Sequence, residues 1–432
     1  MPMSLVSRTR SSHASSAHTF ANFGFNGTLE SPSFLVSLWF GSSPLSKLRM
    51  RANFRTATLV RALCVCLFVS GVLLIGPVAA QPGDPAAAAY IQARQQFEAQ
   101  LSAYWNSIAE KRRTRNTKRR NGETVLLEDY VLTQPPVYSG PPRPPGLTAS
   151  VPEGPAPMRK FIPVIADLLK AAKEEFAFAP DQVKSELEFK RAYAKAASAA
   201  GITRDQAVRI YSFETGGNGT YDVQSGLTTP QRPGARAISP AIGYNQLLNT
   251  NSVGLLAEHG EQFVEALKKK AAALHGDARK HMERKIAVLQ RMIAYSRTVP
   301  NQWAEHDKLA FTPGGLAIHS LVLDRDVGPL LQTQKLLNSI LFARSKGYKA
   351  PLTAAELAMM NLTGDGNGFD IVSMPAAMRG QVPTSNFFQQ GGYERNSVAI
   401  RNNVVSTLLA ATDVKMDQAS KQQGAKDLAS AF

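Results

Sequence analysis

From Phe161 onward the apolar residues of this chain recur three and four apart, and no stretch sustains an alternation in twos. That period belongs to helices with one buried face, which makes a β-sandwich or barrel a poor fit for the main body. Residues 161–176, FIPVIADLLKAAKEEF, show it first, and 181–199 continue in strong helix formers. Thr203-Arg204-Asp205-Gln206 has the form of a capping box, with Thr203 as N-cap and Gln206 at N3. It predicts a short helix running to about Phe213. Residues 260–295 predict one or two long amphipathic helices with Ile286, Leu289 and Ile293 on one face, and Leu330, Leu336, Leu337, Ile340 and Leu341 mark another. The expected body is mainly α, with glycine-rich loops between helices.

Ahead of that body the composition changes twice. Residues 84–110 read as a helix, with Asp84 as N-cap and Pro85 in the first turn. A basic run, KRRTRNTKRR, follows at 111–120, and seven of its ten residues are Lys or Arg. It reads either as an electrostatic anchor to an anionic wall or membrane surface, or as a solvated run without a specific partner. Residues 134–157 hold nine prolines among Gly, Ser and Thr, the composition of a semi-rigid spacer.

Residues 62–76, ALCVCLFVSGVLLIG, form an apolar stretch preceded by Arg51, Arg55 and Arg61 and followed by Val78-Ala79-Ala80. About 15 apolar residues suit the core of a secretory signal, whereas a spanning helix needs about 20. The reading is a cleaved signal peptide over 50–80, with an uncleaved inner-membrane anchor as the alternative. Residues 1–49 then precede a start at Met50. They read as a start codon assigned too far upstream, or as an organellar transit peptide, given their Ser-rich, acid-poor composition. The expected organisation is therefore 1–49 extension, 50–80 signal, 81–133 helix and basic run, 134–157 linker, 158–412 catalytic domain and 413–432 flexible tail. The expected location is periplasmic or secreted.

Both cysteines, Cys64 and Cys66, lie in the signal-like stretch, so the rest offers no disulfide, thiolate metal site or cysteine nucleophile. The net charge is +16, and beyond residue 80 there remain 42 basic against 32 acidic residues. A positive field favours anionic partners without choosing among them. The basic run has no interleaved aromatics for base stacking, so nucleic acid is not expected. Asp365-Gly-Asn367-Gly-Phe-Asp370 lacks the glycine and the final glutamate of a calcium loop, and no two histidines have zincin spacing. No metal and no cofactor are expected. Arg325, between Asp324 and Asp326, reads as part of a solvated charge cluster.

Two loops carry the candidate chemistry. Phe213-Glu214-Thr215-Gly216-Gly217-Asn218-Gly219-Thr220 ends a predicted helix and opens a turn. A carboxylate there, beside Tyr211 and Phe213, titrates high if it is partly desolvated, which suits a general acid near neutral pH. The second loop is Ser239-Pro240-Ala241-Ile242-Gly243-Tyr244-Asn245-Gln246-Leu247. Gly243 permits close backbone approach, and Asn245 and Gln246 carry amides suited to sugar hydroxyls and acetamido groups.

This pairing, a helix-terminal Glu-Thr and then Ser-Pro-x-x-Gly-x-x-Gln-Leu, resembles the soluble lytic transglycosylase group of the lysozyme-like superfamily. A third segment, Leu357-Ala358-Met359-Met360-Asn361-Leu362-Thr363-Gly364, is similar to the family's late Ala-Tyr-Asn-Ala-Gly motif. The resemblance covers roughly residues 200–370. It implies a mainly α, lysozyme-like catalytic domain, from whose pattern this chain departs by a long helical insertion at about 260–312. It implies cleavage of peptidoglycan glycan strands with Glu214 as acid and then base, leaving 1,6-anhydromuramoyl ends. It places substrate-binding roles on Gly243, Gln246 and Asn361, and Tyr244 and Asn245, beside them in the second loop, are further candidates for that role. The family's late tyrosine corresponds to Met360, and Tyr393 is the candidate replacement. Two alternatives accompany this reading. A hydrolytic muramidase would need a second carboxylate, from Asp222, Asp365 or Glu394. A non-catalytic peptidoglycan-binding protein would keep the fold without turnover.

Overall fold

Helices and the loops joining them make up the computed structural model, which describes residues 85–145, 147, 161–227 and 236–432. These residues belong to one unit, Gln81–Phe432. The expectations for 1–49 and 50–80, and for the second half of the Pro-rich segment, lie outside the described residues. Among the described residues there is no strand, only isolated bridges such as Ile242 with Leu247. No helix among them is long and apolar enough to cross a membrane.

The order begins with α1 (Pro85–Arg120), α2 (Ile165–Phe176), α3 (Glu186–Ala199) and α4 (Arg204–Thr215). Next come α5 (Asn249–Ala272), α6 (Gly276–Ser296), α7 (Trp303–Ala310) and α8 (Pro313–His319). Then follow α9 (Gly328–Ser345), α10 (Ala354–Thr363) and α11 (Asp365–Val372). Three short helices, α12 (Ala376–Arg379), α13 (Gln390–Glu394) and α14 (Ser397–Arg401), lead to α15 (Val405–Ala419) and α16 (Gln423–Ser430).

The apolar faces close two cores. One gathers residues of α1, α3, α4, α10, α15 and α16, including Tyr193, Tyr211, Met360 and Leu408. The other is built on α2 and the α5–α8 insertion, including Leu168, Leu256, Leu289 and Ile318. The Pro240–Leu247 loop belongs to both, with Tyr244 in the first core and Ile242 and Leu247 in the second. Each wholly buried aliphatic or aromatic side chain contributes roughly 1.5–3 kcal/mol of transfer free energy.

Four expectations are corrected by the structure. The basic run is not a free, wholly solvated tail, because α1 continues through it to Arg120. Arg115 is wholly buried, with Nε 2.9 Å from Asp370 Oδ2, Nη1 3.0 Å from the Asp129 carbonyl, and its guanidinium 4.4 Å from the Tyr130 ring centre. Arg119 also pairs with Asp370, Lys118 pairs with Asp129 at 2.7 Å, and Arg112 donates to the Asn386 and Phe388 carbonyls. Every three or four residues a cation turns inward, so helical period, not charge density, decides where the run points. Second, residues 413–432 are no flexible tail: α15 and α16 bury Thr412, Met416, Ala425 and Leu428. Third, the side chains of Asp324 and Asp326 are covered, both paired with Lys285, which also reaches Asp181 at 2.6 Å. A buried lysine facing three carboxylates replaces the expected solvated cluster.

The described part of the Pro-rich segment is no free spacer either. Tyr138 packs edge-on against Tyr90 and Phe97 of α1 at 6.2 and 5.5 Å.

Candidate active site

Glu214 sits in the last turn of α4. The helix starts as its sequence dictates: Thr203 Oγ1 accepts from the Gln206 N–H at 3.2 Å, and Gln206 Oε1 accepts from the Thr203 N–H at 3.0 Å. It ends two residues beyond Phe213, where Gly216 takes the left-handed conformation at φ 70°. The following glycine, Gly217, has φ 82°, and a Cβ there would lie 2.1 Å from the Ala419 carbonyl oxygen. That space is what lets the end of α15 close over the Glu214 loop. Asn218 completes the clamp, accepting from the Gly424 N–H at 2.9 Å and donating to Gln422 at 3.1 Å.

The Glu214 side chain is partly buried, and burial pushes its carboxyl up to about 7. Two partners pull the other way: the Asn361 amide and the positive charge of Lys415. Its place at a helix C-terminus, where unpaired carbonyls carry partial negative charge, acts with burial. Asn361 Nδ2 donates to Glu214 Oε1 at 3.1 Å and to the Asn245 carbonyl at 3.3 Å. One amide thus ties together all three sequence segments. Lys415, on α15, lies 4.3 Å from the centre of the Phe213 ring.

The second loop is braced from behind. Gln332 on α9 accepts from the Asn245 N–H at 2.9 Å and donates to the Ile242 carbonyl at 3.1 Å. Its backbone carbonyl accepts from Asn245 Nδ2 at 2.8 Å. Gly243, at φ 84°, makes room for this: a Cβ would sit 2.1 Å from Gln332 Nε2. Asn245 Oδ1 accepts from the Tyr193 hydroxyl at 3.1 Å. Gln246, held at φ 46°, folds its amide back onto the Val223 and Gly243 carbonyls.

These contacts revise the expected roles. Tyr244 and Asn245 are wholly buried, so neither faces a ligand. Asn245 is spent on Gln332 and Tyr193. Tyr244 donates to Glu186 Oε1 and lies edge-on to Tyr211 at 4.7 Å. Met360 is wholly buried in the first core and does not stand in for a tyrosine at the site. Tyr393 is buried against Trp105 and Phe388, at 5.8 and 6.1 Å, and among the described residues no hydrogen bond or ring contact joins it to Glu214. Of the three expected second carboxylates, Asp365 accepts from Ser339 at 2.6 Å and Glu394 from Gln390 at 3.0 Å, and Asp222 is partly buried.

Three residues were missed by reading the sequence. Glu186, the first residue of α3, is a partly buried carboxylate held by the Tyr244 hydroxyl and, at 3.1 Å, by the Tyr221 N–H. Burial raises its carboxyl against the pull of both hydrogen bonds. Its only sequence signal was a helix start after Ser185. Gln332 sits in a helix whose apolar spacing draws attention away from polar positions, and Lys415 lies in the segment read as a flexible tail.

Asn361 also lines a cleft of about 570 Å³ bounded by α5, the start of α7, α9 and the end of α10. The cleft therefore begins at the residue that holds Glu214. Compared with protein-family models, curated proteins and solved structures, the chain matches none.

Proposed function

We propose that this chain is an exported, lysozyme-like enzyme that cleaves peptidoglycan glycan strands, with Glu214 as the single acid and base. The observation that carries the reading is Asn361, whose amide holds the Glu214 carboxylate and which itself lines the cleft. A carboxyl near 7 is about half protonated at neutral pH, so it can give a proton to a glycosidic oxygen and take one back. Attack of the muramoyl C6 hydroxyl on C1 would then close a 1,6-anhydro ring without consuming water.

A second reading, hydrolysis, is favoured by Glu186, a second partly buried carboxylate whose partner Tyr244 packs on Tyr211 of the Glu214 helix. Digestion of purified sacculi followed by product mass decides between them. Anhydro-ended products support the transglycosylase; products heavier by one water per cut support the hydrolase. Glu214→Gln is expected to lower turnover by about 10²–10⁴. Unchanged turnover in that variant would remove Glu214 as the acid, and binding of sacculi with no turnover by the parent would leave a wall-binding protein as the surviving reading.

A further inference from the structure

We infer that the cleft beyond Asn361 is a binding site for N-acetylated sugar rings and that Trp303 is its stacking platform. The inference rests on the proposed substrate class, but it concerns binding and needs no turnover. Trp303 is the first residue of α7, in the insertion, and it lines the cleft while 57 % exposed. A large indole left in water on a groove wall offers a flat apolar face with a polar edge. A pyranose ring matches it, with C–H bonds on one face and hydroxyls around the rim.

The rest of the cleft suits that rim. Asn251, Asn301, Asn338 and Asn361 bring amides from four separate elements. The Asn251 and Asn338 oxygens already accept from the Leu248 N–H and from Gln334, and the Asn361 nitrogen donates to Glu214 and Asn245, which leaves the Asn251 and Asn338 nitrogens, the Asn361 oxygen and the Asn301 amide for hydroxyl and acetamido groups. His306 is 4 % exposed and lines the same cleft, and its Nε2 has no hydrogen-bond partner within the chain. A buried ring nitrogen in that condition calls for a polar partner. The charges on the cleft are mixed, Glu258 and Asp365 against Lys335. Although the molecule as a whole is strongly positive, this groove is not built for a polyanion. A neutral polar polymer fits it better.

The full chain carrying Glu214→Gln, with and without each Trp303 substitution, would be titrated with a β-1,4-linked N-acetylglucosamine tetramer by isothermal calorimetry, which reads affinity without the indole, while the tryptophan emission of the Trp303-containing chain is followed. Trp105 is buried, so among the described residues Trp303 is the indole placed to respond. The expected result is a saturable blue shift, with Trp303→Ala weakening binding at least about tenfold and Trp303→Phe keeping part of it. Equal affinity in Trp303→Ala, or no binding of the tetramer to the parent, overturns the inference. Loss of turnover in Glu214→Gln together with unaltered binding in Trp303→Ala removes the platform and leaves the catalytic reading intact. Weakened binding in Trp303→Ala together with full turnover in Glu214→Gln keeps the platform and removes the catalytic reading.

Discussion

At Glu214 two opposing effects meet, and burial wins. The Asn361 amide donates to the carboxylate and so favours its charged form. Replacing Asn361 by Ala removes that donor, so the carboxyl should rise further. If Glu214 is the acid, the alkaline limb of the kcat/KM profile, near pH 7 in the parent, should move up by about one pH unit, because a hydrogen bond to a charged group is worth about 1.5–3 kcal/mol. A profile in Asn361→Ala superimposable on the parent's would mean that the amide does not act on the titrating group. Glu214 itself was legible as a helix-terminal carboxylate between aromatic residues and glycines. Asn361 was legible as well, but only by resemblance. The burial of Tyr244 and Asn245 was not, because a loop sequence does not say which face another helix will cover. Gln332, 87 positions beyond Asn245, supplies that cover.

Among the helices, α1 shows how period overrides composition. Seven cations in ten residues suggest a solvated or anchoring run, yet Arg112, Arg115, Lys118 and Arg119 are bonded to the rest of the unit. Asp370 is the counter-charge, 2 % exposed, and it was passed over in the sequence as part of a failed calcium loop. Replacing Arg115 by Met should cost about 3–5 kcal/mol, since it strips a buried carboxylate of its best-aligned partner. The exposed Arg113, replaced in the same way, should cost less than about 0.5 kcal/mol. Urea unfolding of the two variants checks this, and equal midpoints would mean that α1 is not held by the pair. The helices were legible because capping and apolar spacing are local signals. The capping box at Thr203 is present atom for atom. The docking of α15 and α16 on α4 was not legible, because it depends on Gly217 offering no side chain where Ala419 arrives.

The unit Gln81–Phe432 hangs on the loop shared by the two cores described above, and two titratable groups, one wholly and one partly buried, brace it with opposite sign. His319 is wholly buried, its Nε2 3.0 Å from the Pro240 carbonyl and its Nδ1 2.8 Å from Ser252 Oγ. A carbonyl only accepts, so Nε2 carries the proton and Nδ1 accepts from the serine. Burial pushes this imidazole down to about 4 from its ordinary 6.5. Its contribution to stability is therefore complete above pH 6.5 and is lost as pH falls toward 4, on the order of 3 kcal/mol in all. Glu214 runs the other way. Its carboxyl is raised from 4.5 to about 7, so its contribution is complete below pH 4.5 and is lost as pH rises through 7. Between pH 4.5 and 6.5 the two partly cancel, and the Tm of the parent should change little from this pair. Glu214→Gln removes one side of the balance. Its Tm should exceed the parent's by a few degrees at pH 8, where the parent carries a partly buried carboxylate. The advantage should shrink to nothing by pH 4.5, so that the variant loses stability on acidification more steeply than the parent. Scanning calorimetry of both chains from pH 4.5 to 8 measures the difference directly. Parallel Tm curves across that range would show that Glu214 titrates in the folded protein as it does in the unfolded chain, and the assignment of a neutral-range acid to this position would fall with it.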